Sequence, residues 1–121
     1  MVTGGQGATD SVQTSVELLS SNGTRLCSLP NLPEKRYHHS QTGVLACGGG
    51  SGSDMKSCST FADGRWKKSH TLGTRRFGHT AWASPQGVLI MGGDYSQATT
   101  TELPNDTGGT TLSFTLKNKR Q

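Results

Sequence analysis

An all-β chain of short antiparallel strands is predicted by three observations. The first is composition: 17 glycines, abundant Ser and Thr, 30% apolar and 17% charged residues, a mixture that suits many strands joined by tight turns. The second is the lack of any window that keeps apolar residues at helical spacing without Gly or Thr interrupting it. The third is a repeat: Gly4-Gly5, Gly48-Gly49 and Gly92-Gly93 recur every 44 residues, each closing an apolar run, "MVT", "VLAC" and "VLIM". Regular recurrence at this period marks a stacked-repeat architecture.

The elements follow in order within each unit. "RYHHS" from Arg36 and "RRFGHT" from Arg75 approach a first strand about ten residues before the diglycine. The apolar run that ends in Gly-Gly is the second strand. "TSVELL", "KSCSTF" and "TTTELP" form a third, and after the turn signals "SNG", "ADG" and "NDTGG" come the closing strands "TRLCSL", "RWKKSH" and "TLSFTL". Each unit is thus a four-stranded antiparallel meander. The first begins at its second strand, which gives eleven strands over residues 1–35 (an incomplete unit), 36–75 and 76–121. One such sheet cannot cover both of its faces, so the sheets must stack.

The register of these landmarks resembles the kelch-repeat family: an apolar run ending in Gly-Gly, the Arg-x-x-His approach to the first strand, and an aromatic in the fourth strand, Trp66 or Phe114. The likeness spans essentially the whole chain. It departs at Leu26, which stands where the aromatic of the first unit would be, and at Phe61 or a leucine in place of the tyrosine usual before that aromatic. The resemblance implies blades of a β-propeller. Kelch rings close with about six blades, so slightly under three implies a partial ring completed by homo-oligomerisation. Open sheet faces and a vacant inner-strand position favour such self-association, and a strictly monomeric mass would contradict it.

The diglycines Gly4, Gly5, Gly48, Gly49, Gly92 and Gly93 are read as structural, permitting positive φ and close backbone approach. A phosphate loop would require a helix after Gly48-Gly49-Gly50, where "SGSDMKS" stands instead. The resemblance gathers the loops before the first strands and after the diglycines on one face. Arg36, His38, His39, Asp54, Lys56, Arg76, Asp94 and Tyr95 are therefore the candidate ligand-binding residues. A structural role is the competing reading for the arginines, which would bond loop carbonyls between blades, and for His79, which would pack in its strand.

Ser40 beside His39 has no third orienting group in evidence and is not a catalytic triad. The three cysteines match no metal motif, and adjacent His38 and His39 point to opposite faces of a strand. No cofactor or metal is expected. A formal charge of +4 includes the terminal run Lys117–Arg120, while the charges of the proposed binding face nearly cancel, and this balance argues against nucleic acid as a partner. No stretch has the length of a membrane span and the N-terminus lacks a signal-peptide core.

Trp66, Phe114 and Trp82 are expected between blades. Asn22-Gly23-Thr24 and Asn105-Asp106-Thr107 are N-glycosylation sequons in turns opposite the binding loops, a hint of a secreted parent protein. Cys47 and Cys58 lie on one hairpin, either paired or as buried thiols. The function expected is a non-catalytic protein-binding or scaffolding module; the alternative is a carbohydrate-binding or galactose-oxidase-like propeller, which the resemblance also embraces.

Overall fold

The computed structural model describes residues 1–50, 56–85, 87–93, 100–103 and 110–115, with 100, 102, 103 and 110–115 described by their backbone alone. The chain is all-β. The first sheet holds β1 (Val2–Thr3), β2 (Val16–Leu19) and β3 (Leu26–Leu29). The second holds β4 (Ser40–Thr42), β5 (Leu45–Cys47), β6 (Ser57–Ala62) and β7 (Arg65–Thr71). The third holds β8 (Thr80–Ser84), β9 (Gly87–Met91), β10 (Thr100–Leu103) and β11 (Thr110–Thr115). All three are antiparallel meanders, and strand order within each follows the chain. The described residues include no helix able to cross a membrane.

The turns have local causes. Asp63 (φ 52°) and Gly64 (φ 74°) both adopt the left-handed conformation between Ala62 and its partner Arg65, as a two-residue hairpin demands. Between Thr42 and Leu45 the loop is Gly43-Val44, again two residues. This shortens the apolar run that the sequence suggested as a strand: Val44 is half exposed in the turn, and β5 begins only at Leu45.

Strand alternation then divides the side chains between the two faces of the central sheet. Ala46 and Trp66 point toward the first sheet and are buried with Val16 and Leu32, while Met1, Leu29 and Phe61 pack around them. Cys47, Cys58, Leu72 and Ile90 form the other cluster, with Leu45, Ala81 and Val88 against it, between the second and third sheets. Full burial of Leu72 or Ile90 contributes about 2–3 kcal/mol. Cys47 and Cys58, directly opposite on β5 and β6, form a disulfide within this second cluster, which settles the alternatives that their spacing left open.

One packing expectation is corrected here. Trp66 does lie between sheets, tilted against Phe61 with ring centroids 5.5 Å apart. Trp82 does not: it is 55% exposed. Its strand partner is Leu89, on the opposite face from Ile90 and Ala81, so it looks away from the second sheet, where this chain places no neighbour among the described residues. The Phe114 side chain lies outside the described residues.

Candidate functional site

The diglycines build the joints between sheets. At the first joint Gly5 N–H donates to Arg36 C=O at 2.7 Å, and at the second Gly49 N–H donates to Arg76 C=O at 2.8 Å. In each case the second glycine of one unit bonds the arginine that opens the next. The same arginine then turns its guanidinium to its own unit: Arg36 Nη1 donates to Gly48 C=O at 2.7 Å and Arg76 Nη1 to Gly92 C=O at 2.6 Å. One residue thereby ties two consecutive diglycines.

Only glycine permits this approach. At Gly48 (φ 62°) an added Cβ would stand 2.5 Å from His79 Cε1 and 2.8 Å from Arg76 C=O, and at Gly49 (φ 67°) it would strike the backbone of Tyr37 and His39. Both the left-handed φ and the lack of space exclude a side chain.

Arg36 and Arg76 are buried completely, or nearly so. The Arg36 Nη atoms also donate to Ser57 C=O, Ser57 Oγ and Glu34 Oε2, at 2.9, 2.7 and 3.0 Å. The structure therefore places these two candidates inside the joint, bonded to loop carbonyls. Glu34 belongs to the same cluster, which the sequence reading missed. Buried itself, it also takes Lys68 Nζ at 2.7 Å on its other oxygen and Ser59 Oγ–H at 3.1 Å. The available signal was its opposite charge two residues before Arg36.

The two approach histidines also face inward. His39 Nε2 meets Thr3 Oγ1 and His79 Nε2 meets Ser40 Oγ, both at 2.7 Å. Burial, reinforced by the arginine of the same loop, lowers each imidazole to about 4. They are neutral near pH 7. Ser40 and His79 have the spacing of a nucleophile and base, but Ser40 is buried, and the imidazole's other partner is the Cys47 backbone. That burial withholds the access such chemistry needs. Nor do the described residues gather three or more His, Cys, Asp or Glu side chains suited to a metal.

What faces solvent at the second joint is aromatic. His38 is exposed, with its ring 5.0 Å from that of Tyr37 and stacked on Phe77 at 6.3 Å. Its carbonyl accepts Gly78 N–H at 2.8 Å. His38 has φ 51°, and Gly78, its counterpart in the next unit, has φ 61°. A non-glycine residue in this region carries a backbone cost, here accepted at an exposed ring between two half-buried ones. Phe77 was passed over in the sequence, although it occupies the place of Tyr37 in the following repeat. Lys56 is half-buried, and its carbonyl accepts Leu72 N–H at 2.7 Å. Asp54, Asp94 and Tyr95 lie outside the described residues.

No protein-family profile matches the chain, and no curated protein matches it in sequence.

Proposed function

We propose that this chain is an arc of a kelch-type β-propeller that acts as a non-catalytic protein-binding module and closes its ring with further copies of itself. The observation that carries the reading is the joint, built twice from equivalent residues: a glycine N–H to the next unit's arginine carbonyl, and that arginine's guanidinium to its own diglycine. Repetition of one joint between successive sheets is the means by which blades propagate around an axis.

Self-association is supported by both outer faces. On the first sheet, Val2, Leu19 and Leu26 lie on the face opposite Val16 and are 63%, 52% and 61% exposed. On the third sheet the outward face presents Trp82. Stacking the third sheet of one copy on the first sheet of another buries both sets, in the manner that the second sheet is buried on each side here.

Light scattering on purified protein tests the assembly. A mass of two or more chains that falls to one in Trp82→Glu is the expected result, and a monomeric wild type refutes this part of the proposal. The binding part assigns ligand contact to Tyr37, His38 and Phe77. Peptides selected from a displayed library against the folded chain should lose affinity at least tenfold for His38→Ala; selection of no peptide sensitive to these residues counts against the surface. The exposed Trp82 ring also favours a second reading, carbohydrate binding, and retention on a glycan array that Trp82→Ala abolishes would decide for it.

A further inference from the structure

Two features lie outside the joint and outside the proposed binding surface. One is the turn between β2 and β3, and the other is the buried disulfide. We infer that Asn22 is an N-glycan acceptor in a chain that matures in an oxidising, glycosylating compartment; this does not rest on the propeller reading.

The turn satisfies the chemistry of the sequon Asn22-Gly23-Thr24. All three residues are exposed. Asn22 Oδ1 accepts Thr24 Oγ1–H at 2.7 Å, Thr24 N–H at 3.2 Å and Ser20 Oγ–H at 2.7 Å. Its Nδ2, the atom that would carry the sugar, makes no hydrogen bond among the described residues. Around Gly23 the space is open: an added Cβ would meet nothing within 4 Å. The turn is closed only by local bonds, Gly23 N–H to Ser20 C=O and Ser20 N–H to Arg25 C=O, so presenting it to an enzyme disturbs no neighbouring sheet.

Topology keeps a glycan there away from the joints. β1 runs toward Gly4-Gly5 and β2 returns from it, pairing Thr3 with Val16 and Val2 with Glu17. The turn after Leu19 is therefore at the other end of the sheet from the diglycine. Independently, the buried Cys47–Cys58 bond points to the compartment, because structural disulfides persist where the thiol poise is oxidising and are rare in the cytosol.

In the transfer, Asn22 Nδ2 forms a bond to C1 of the reducing-end sugar of a lipid diphosphate-linked oligosaccharide. The bond from C1 to the phosphate oxygen breaks, the lipid diphosphate leaves, and one Nδ2 proton passes to a carboxylate of the host transferase.

The test translates the full chain behind a cleavable secretion leader into endoplasmic-reticulum microsomes. Protease-protected chains are then compared by peptide mass spectrometry with and without peptide N-glycosidase, which leaves Asp at an occupied position, and conversion at 22 is scored only where it requires the enzyme, because Asn22-Gly23 also deamidates spontaneously. Conversion at 22 is expected in the wild type, in Thr24→Ser and in Asn105→Gln, with complete loss in Asn22→Gln and Thr24→Ala. Protected chains unmodified at Asn22 overturn the inference. So does recovery of Cys47 and Cys58 as free, alkylatable thiols from the same lumen.

Discussion

Lowering the pH should destabilise this fold before its carboxylates titrate, because two neutral histidines are sealed into the joints. His79 packs against Gly48 and bonds Ser40, and His39 bonds Thr3. Burial is the principal cause of the depressed values, followed at His79 by Arg76, with smaller opposition from a backbone hydrogen bond to Cys47 and further lowering by His39 and Arg36. Each imidazole has a value of about 4 folded against 6.5 unfolded. The unfolded chain therefore binds the proton more tightly, and stability is complete above about pH 6.5 and is lost as pH falls toward 4. Between pH 7.5 and 5 the linkage amounts to about 2 kcal/mol per histidine, a large share of the roughly 5–15 kcal/mol that holds a domain together. The two contributions are not additive, since each charge raises the cost of the other. Urea unfolding followed by tryptophan fluorescence at the two pH values measures the effect. With a urea slope of about 1–3 kcal/mol/M, the midpoint should fall by roughly 1 M or more. His79→Gln keeps a polar group near Ser40 but cannot titrate, and it should remove about half of the pH dependence. If His79→Gln and the His39→Gln, His79→Gln double variant lose as much stability as the wild type between pH 7.5 and 5, the sealed-histidine argument is wrong.

Two further outcomes follow from the joint. Gly49→Val should prevent folding or assembly, because the new side chain meets backbone of Tyr37 and His39 at a left-handed φ, whereas Gly64→Ala, with open space at its Cβ position, should cost only about 1–2 kcal/mol of backbone strain; comparable melting of the two variants would refute the close-approach reading. Arg36→Ala leaves Glu34 buried with the exposed Lys68 as its ionic partner among the described residues, and it takes one donor from Gly48 C=O and one from Ser57 C=O, which keeps Gly48 N–H. A loss of about 3–5 kcal/mol in chemical unfolding is expected, and a loss below about 1 kcal/mol would show the guanidinium to be dispensable.

The sequence by itself determined the number of strands, their grouping and most of the turns, the one between Thr42 and Leu45 falling inside a run that reads as strand. These are local matters: Asp63-Gly64 closes its hairpin by φ alone, alternation assigns Ala46 and Cys47 to opposite faces, and a glycine that must accept a left-handed φ leaves a mark that recurs every 44 residues. What the tertiary structure decided is which partners meet across sheets. Arg36 and Arg76 were legible either as ligand contacts or as donors to loop carbonyls, and stacking decides between the two by turning their guanidinium groups inward onto glycine carbonyls. Glu34, Ser57 and Ser59 enter the site for the same reason, and so does Phe77, whose ring reaches His38 from the next unit. Cys47 and Cys58 were neighbours by hairpin pairing, yet their bond required the register that set them directly opposite. Trp82, by contrast, was expected in a core and stands exposed, because an aromatic on a strand is buried only if another sheet covers that face. Local sequence specifies which face a side chain takes; whether that face finds a neighbour depends on how the sheets come together.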